Sequence, residues 1–276
     1  MLTRIISGIF LVIILGVTML CGGWVLLGMT LFISLVGFNE LIRATHVRPD
    51  EKKVCGVEII GYLGIIAYYI VLLYPQAKDF LMGVIILTIM GMMLVYVLTF
   101  PKYNSAQVMA AAFAFIYAPI LLSYIYRTRM MTNGIYIVWL VFIASWVCDT
   151  AAYFFGVLFG KHKLAPVLSP KKSIEGAVGG VFGAALFGFL YAFALYKLGI
   201  TFVEGDVLRA FPLIAAVGSV LSQIGDLAAS GIKRNNGIKD YGKLIPGHGG
   251  ILDRFDSVIV TGPLIYYGAM LLLHLQ

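Results

Sequence analysis

The stretch FLMGVIILTIMGMMLVYVLTF, residues 80–100, contains no charged residue and is long enough to cross a membrane as a helix. A helix rises about 1.5 Å per residue, so a hydrocarbon layer about 30 Å thick needs roughly 20 apolar residues. Across the 276 residues of the chain, 61% are hydrophobic and 12% are charged. This composition excludes an ordinary soluble domain and favours an integral membrane protein.

Runs of similar length and hydropathy lie on both sides of this stretch, so the sequence predicts about nine transmembrane helices. The predicted spans are 5–20, 24–42, 57–75, 80–100, 106–126, 134–159, 174–198, 211–232 and 255–275. Residues 1–130 would form about five N-terminal helices, and residues 131–276 about four helices with two polar loops. The predicted fold is therefore an all-α, single membrane domain.

Lysine and arginine residues are concentrated on one side of these predicted spans. They cluster in the 43–53, 160–173 and 233–254 loops, which lie on the same side as the N-terminus. Because cytoplasmic loops carry an excess of positive charge, the N-terminus and the polar loops are predicted to face the cytoplasm. The net charge of +7 has the same origin, and it indicates an anionic ligand or leaflet rather than nucleic acid.

One carboxylate, Asp226, lies deep inside the 211–232 span. A charge at that depth is costly, so Asp226 should face a cavity and meet a cation. Ser219, Ser222 and Ser230 fall on the same helical face, at i−7, i−4 and i+4. The serines alone are more typical of a polar contact between helices. Asp226 is therefore the functional candidate on this face.

Two more acids, Asp253 and Asp256, stand three residues apart at the start of the last span and share a helical face. A carboxylate in a first helical turn can merely complement the helix dipole. Together with Asp226, however, they make three acids at membrane depth, where oxygen donors favour a hard cation such as Mg²⁺. We predict that Asp226, Asp253 and Asp256 bind Mg²⁺, and a second cation is left open.

The polar loop that separates these acids supplies cations and glycines. Cations hold phosphates, and glycines let the backbone approach an anion closely. Without the acids the loop would indicate only a solvated, positively charged face, but with them the pattern favours a metal-bound polyphosphate. Lys239 is grouped with the three acids as catalytic. The other candidates are Lys233, Arg234, Gly242, Lys243, Gly247, His248, Gly249, Gly250 and Arg254.

A second polar segment runs from Cys148 to Gly176 and contains another intramembrane acid, Asp149. Its sequence SPKKSIEG, residues 169–176, comes just before a span. A serine there can cap the first helical turn, and free backbone N–H groups at such a start bind phosphate. The predicted substrate-binding residues of this part are Asp149, Ser169, Lys171, Lys172 and Ser173, together with Ser222.

Overlapping GxxxG pairs follow this segment inside the 174–198 span. Small residues at this spacing let two helices approach closely, either within one chain or between two copies. Intramolecular packing is the predicted role, and a homodimer is the alternative. The glycines are Gly176, Gly179, Gly180 and Gly183.

The segment SGIKRNNGIKDYGKLIPGHGGILDRFD, residues 230–256, resembles the signature of phosphatidate cytidylyltransferases, also called CDP-diacylglycerol synthases. The matching features are the serine, the Lys-Arg pair, the Lys-Asp pair, the HGG triplet and the D-R-x-D ending. SPKKSIEG and Asp149 extend the resemblance upstream, whereas the first hundred residues contribute only spans. The resemblance implies a membrane enzyme that joins CTP and phosphatidic acid, releases pyrophosphate and requires Mg²⁺.

The residues are consistent with this reaction, because the lipid phosphate is already an ionised nucleophile and needs no general base. A CTP-dependent polyprenol or other lipid kinase remains an alternative, although it would have to deprotonate a hydroxyl. A transporter for an anionic substrate is an alternative of another class. It would be favoured by an inverted repeat with broken helices, and the sequence has no such pattern. A CDP-alcohol phosphotransferase is disfavoured, because Asp226 is followed by LAAS rather than by that family's D-G-x-x-A-R pattern.

Overall fold

The computed structural model describes residues 2–50, 53–200, 202, 206–245, 247 and 249–274, with side chains from residue 7 onward, and it is mostly helical. Two π-helical segments, Ile116–Ile120 and Ile143–Val147, and a 3₁₀ turn, Pro75–Phe80, continue neighbouring helices. The helices are α1 (Leu2–Cys21), α2 (Gly23–Ala44), α3 (Gly56–Leu72), α4 (Leu81–Leu98), α5 (Ser105–Phe115), α6 (Leu121–Arg129), α7 (Gly134–Ile137), α8 (Trp139–Phe142), α9 (Cys148–Phe159), α10 (Ile174–Lys197), α11 (Val207–Asn235) and α12 (Leu252–Leu272).

Within the described residues, seven helical stretches are long and apolar enough to span a membrane. They are Gly23–Ala44, Pro75–Leu98, Ser105–Arg129, Gly134–Phe159, Ile174–Lys197, Val207–Asn235 and Leu252–Leu272. The first and third predicted spans coincide with shorter apolar helices, Ser7–Cys21 and Gly56–Leu72. At about 1.5 Å per residue, the 17 residues of α3 reach only about 26 Å. The membrane protein is confirmed, while nine spans remain a prediction.

The segment before α10 is not the loop that the sequence predicted. Strands β1 (Lys163–Ala165) and β2 (Ser169–Ser173) form a short antiparallel hairpin, a local addition to the predicted all-α membrane fold. The Glu175 carboxylate in the first turn of α10 accepts hydrogen bonds from the backbone N–H groups of Lys161 and His162, at 3.1 and 3.2 Å. These bonds tie the base of the hairpin to α10, which positions the two lysines of β2.

The glycine stripe of α10 packs against α9. A Cβ atom at Gly180 would lie 2.9 Å from the Cys148 sulfur, and one at Gly179 would collide with the Phe155 ring. Close approach of the two helices therefore requires glycine at these positions. The prediction of intramolecular packing is confirmed, and the homodimer stays a prediction.

The two π-helical segments lie next to polar residues of the helix bundle. Pro119 is inside the first segment, where its missing N–H group prevents regular helical bonding. The second segment ends just before Asp149, in the first turn of α9. Because π-helical segments are frequent at functional sites, the second one marks the surroundings of Asp149 as a candidate site. Helix α12 packs between α11 and α6, so it joins the two predicted halves of the chain.

Candidate active site

Helix α11 presents its predicted polar face toward the hairpin. Asp226 forms an ion pair with Lys172 of β2, so it has the cationic partner that its depth requires. One turn earlier, the buried hydroxyl oxygen of Ser222 has no hydrogen-bond partner among the described residues. Ser219, by contrast, donates to the carbonyl oxygen of Ala216 in its own helix at 2.7 Å. The Ser222 hydroxyl is therefore a buried polar group, one turn from Asp226, whose hydrogen-bonding capacity the described residues do not satisfy.

Two further carboxylates lie within electrostatic reach of Asp226. The charges of Asp226 and Asp149 both act on the carboxyl group of Asp256, and Asp226 acts on Asp149. One oxygen of Asp256 accepts a hydrogen bond from the backbone N–H of Ser257 at 2.8 Å. Asp149 comes from α9, Asp226 from α11 and Asp256 from α12. These three acids, one from each of three helices, lie within electrostatic reach of one another, and we call them the acidic cluster.

The carboxylate of Asp253 has partners outside the acidic cluster. Its Oδ1 atom accepts a hydrogen bond from Lys233 Nζ at 2.9 Å. Its Oδ2 atom accepts from the backbone N–H groups of Tyr241 at 2.8 Å and Gly250 at 2.9 Å. Oδ1 therefore links α12 to α11 through Lys233, and Oδ2 holds the two ends of the 241–250 loop. In the described part of the chain, no group of three or more His, Cys, Asp and Glu side chains is placed to hold a metal ion.

Two cavities are lined by these acids, and a third, basic cavity lies next to them. The hairpin cavity, of about 440 Å³, is lined by Asp149, Lys171, Lys172, Ser173, Gln223 and Asp226 together with apolar residues of α9. The central cavity, of about 310 Å³, is lined on its polar side by Asp149, Thr150, Asp253, Arg254, Asp256 and Ser257. The basic cavity, of about 630 Å³, is lined by Lys239, Asp240, Lys243, Gly249 and Arg254 among others. Asp149 lines the first two cavities and Arg254 the last two, so the three cavities are neighbours.

Ser173 has the position that the sequence predicted. It is the N-cap of α10, and its hydroxyl oxygen accepts a hydrogen bond from the backbone N–H of Gly176 at 3.1 Å. The N–H group of Ile174 in the same turn donates to the carbonyl oxygen of His162 at 2.9 Å, so the start of α10 is largely satisfied by the protein itself. Lys171 and Lys172 of β2 precede this turn. Both lysines line the hairpin cavity, together with Ser173 and Gly176 at the start of α10.

Several predicted residues lie outside these cavities. Ser169 pairs with Ala165 across the hairpin, and Arg234 is exposed at the end of α11. Lys233 is held by Asp253. His248 lies outside the described residues.

Gly250 is also placed differently from its prediction as a residue that approaches an anionic ligand. It is buried, and a Cβ atom there would lie 2.5 Å from Glu40 Oε1. A carboxylate of the protein itself therefore occupies the space that the missing side chain leaves. Gly249 keeps its predicted place at the basic cavity, with a positive φ of 88°.

Three residues of the site were missed by sequence reasoning. Glu40, in the last turn of α2, accepts hydrogen bonds from the backbone at the start of α12, and it could have been found as an acid inside an apolar run. Gln223 donates to the carbonyl oxygen of Ala177 on α10 at 3.1 Å. Tyr117 lies in a π-helical segment, and its buried hydroxyl has no hydrogen-bond partner among the described residues. No pattern in the sequence marked these last two.

Tyr241 links the 241–250 loop to α11 through its side chain. Its hydroxyl donates to the carbonyl oxygen of Ala229 at 2.9 Å. Burial raises the pKa of the Tyr241 phenol, and the neighbouring Tyr117, Asp256 and Asp253 raise it further. The phenol therefore stays protonated and keeps donating this bond at physiological pH. Tyr241 anchors the loop and is not a proton-transfer group.

The chain is similar to known proteins over almost its whole length. The chain matches the model of the cytidylyltransferase family over residues 2–272. It is 32% identical over 270 residues to the phosphatidate cytidylyltransferase of Staphylococcus haemolyticus, an alignment that covers 96% of this chain and 97% of that protein. It is 33% identical over 270 residues to the protein of the same name from Staphylococcus epidermidis, with the same coverage. The chain therefore belongs to the cytidylyltransferase family.

Proposed function

We propose that this membrane protein transfers CMP from CTP to phosphatidic acid, which yields CDP-diacylglycerol and pyrophosphate. The names of the bacterial relatives, which align over almost the whole chain, support the two substrates. The acidic cluster beside Lys172, at the junction of the hairpin and central cavities, is the observation that carries the proposal. It combines negative and positive groups beside a cavity that has both polar and apolar walls, as a lipid phosphate and a nucleotide require.

The two substrates are assigned to different cavities. Tyr153 and Val157 line the hairpin cavity and are exposed on the membrane-spanning part of α9. A lipid can therefore enter from the bilayer with its phosphate between Lys171 and Lys172. The basic cavity holds Lys239, Lys243 and Arg254, which suit the triphosphate of CTP. The reacting phosphates would meet beside the acidic cluster. With the predicted cytoplasmic orientation, CTP reaches its cavity from the cytoplasm.

Mg²⁺ is usually held by one or two carboxylates together with phosphate oxygens, so a pair of acids from the acidic cluster fits it without the three-acid group that the described residues lack. Asp226 and Asp256 would hold the ion, with Asp149 close by, whereas Asp253 would act through the loop that it folds. The buried hydroxyls of Ser222 and Tyr117, which have no hydrogen-bond partner in the part of the chain that the structure describes, would add oxygen donors at this depth. When bound, Mg²⁺ would offset the negative charge of the triphosphate.

Bond formation requires no protein nucleophile. The phosphate monoester of phosphatidic acid carries nearly two negative charges at neutral pH, because its second pKa is about 6. One of its oxygens attacks the α-phosphorus of CTP, and the bond from that phosphorus to the β-phosphate oxygen breaks, so pyrophosphate leaves with the electron pair. The lysines and Arg254 orient the two anions and offset their repulsion.

The activity is tested by incubating the purified protein with Mg²⁺, phosphatidic acid and CTP labelled at the α-phosphorus. We expect the label in a lipid that extracts into chloroform, since CMP becomes part of the product. CTP labelled at the γ-phosphorus should leave its label in water-soluble pyrophosphate. Diacylglycerol in place of phosphatidic acid is the control substrate and should give no labelled lipid. Transfer of the γ-label to lipid would contradict the proposal and indicate a kinase.

A direct displacement predicts inversion of configuration at the α-phosphorus. The measurement uses CTP with a chiral α-thiophosphate and determines the configuration of the CDP-diacylglycerol product. Two successive displacements through a covalent enzyme intermediate would retain the configuration. Retention, or a CMP-labelled protein trapped without lipid, would contradict the direct mechanism while leaving the substrates in place.

A further inference from the structure

Glu40 joins the first half of the chain to the start of the helix that carries Asp253 and Asp256. Its side chain lies in the last turn of α2, and the residue is 7% exposed. Oε1 accepts a hydrogen bond from the backbone N–H of Ile251 at 3.0 Å, and Oε2 accepts from that of Leu252 at 2.8 Å. The first N–H groups of a helix have no intrahelical acceptors, so a carboxylate from α2 caps α12.

Two glycines of the 241–250 loop make room for this carboxylate. A Cβ atom at Gly250 would lie 2.5 Å from Glu40 Oε1, and one at Gly242 would also collide with that oxygen. Neither glycine has a positive φ, so backbone conformation does not require glycine at these positions. The close approach of Glu40 is the physical reason for both.

Burying the Glu40 carboxylate costs more free energy of folding than an ordinary helix cap requires. Glu40 forms no ion pair within the described residues, and burying a carboxylate in a membrane protein carries a large desolvation penalty. Two backbone hydrogen bonds and the helix dipole offset part of this penalty. What the arrangement provides is a defined position for the first turn of α12.

We propose that Glu40 is a positioning residue for the transfer reaction. This inference rests on the proposed function of the site. Asp253 binds the N–H groups of Tyr241 and Gly250, and Glu40 binds those of the next two residues. Together the two carboxylates hold the ends of the loop that lines the basic cavity and the turn that carries Asp256. A misplacement of about 1 Å in such groups can lower a rate about 10²-fold.

The first test is Glu40→Gln, in which the amide nitrogen can no longer accept one of the two N–H bonds. We expect kcat to fall by about 10- to 100-fold, with a smaller change in KM for either substrate. Hydrogen exchange of peptides covering residues 249–256 should be about 10-fold faster, because a charge-assisted bond to the helix start is lost. Glu58→Gln is the matched control, since Glu58 is a buried carboxylate of the first half that is paired with Arg48. The folded Glu58→Gln protein should have the wild-type kcat and the wild-type exchange rate in residues 249–256.

The second test uses the steric contact. Gly250→Ala should be strongly impaired, because its Cβ atom collides with Glu40. Adding Glu40→Ala removes the collision, so the double variant should be at least as active as Gly250→Ala alone. A double variant whose loss equals the product of the two single losses, or a Glu40→Gln enzyme with wild-type kcat and exchange, would overturn the proposal. If the wild-type protein formed no CDP-diacylglycerol, the proposed function would fail, while exchange in Glu40→Gln would still test the cap.

Discussion

Replacing Asp226 by asparagine is expected to lower the rate of CDP-diacylglycerol formation by about 10²- to 10³-fold, as for other groups that stabilise a charged transition state. Asparagine keeps the shape of the side chain but removes the charge that pairs with Lys172 and that, in the proposal, holds Mg²⁺. The side chains of this pair are 26% and 27% exposed, and Lys172 stays within electrostatic reach of Asp149, so the unfolding midpoint should fall less than after loss of the more deeply buried Asp253–Lys233 pair. The measurement is kcat with saturating CTP and phosphatidic acid, together with thermal unfolding in detergent. Asp256→Asn should behave in the same way.

Asp206→Asn is the matched control, because it makes the same chemical change on the same helix. Asp206 is the exposed N-cap of α11, and its Oδ1 atom accepts a hydrogen bond from the backbone N–H of Leu208 at 3.0 Å. Asparagine caps a helix about as well as aspartate, so activity and stability should both be retained. Wild-type turnover in Asp226→Asn would contradict a catalytic role for the acidic cluster.

The helices of the second half could be predicted from local sequence because hydropathy and length are local properties. The predicted span 174–198 corresponds to Ile174–Lys197, and 134–159 corresponds to Gly134–Phe159 with its π-helical interruption. The hairpin escaped prediction because its strands are short and polar, without alternating hydropathy. Its position is set instead by the Glu175 bonds to the backbone of residues 161 and 162.

The acids of the site could be found from sequence because a charge at membrane depth is rare, but their partners depend on tertiary structure. Residues three apart on a helix differ in direction by about 60°. Because of this angle, the Asp253 carboxylate accepts a hydrogen bond from the 241–250 loop, whereas the Asp256 carboxylate lies within electrostatic reach of Asp149 and Asp226. Glu40 lies more than two hundred residues before its partners, so no local pattern could connect them.

Replacing Asp253 by asparagine is expected to destabilise the protein far more than Asp226→Asn does. The carboxylate side chain of Asp253 is 3% exposed and that of Lys233 is 12% exposed. Removing one partner of a buried pair leaves the other charge uncompensated and costs about 3–5 kcal/mol. The variant also weakens the acceptor for the N–H groups of Tyr241 and Gly250, so the loop should loosen.

The double variant Asp253→Asn, Lys233→Met separates this structural role from metal binding. Since it removes the unpaired buried ammonium group, it should recover part of the stability that the single variant loses. The measurement is the unfolding midpoint of both variants in the same detergent, with activity expressed per folded molecule. An Asp253→Asn protein that unfolds like the wild type but has lost its turnover would contradict the loop-anchoring role. That outcome would instead favour Asp253 as a direct ligand of Mg²⁺ beside Asp226 and Asp256, with Lys233 displaced when the ion binds.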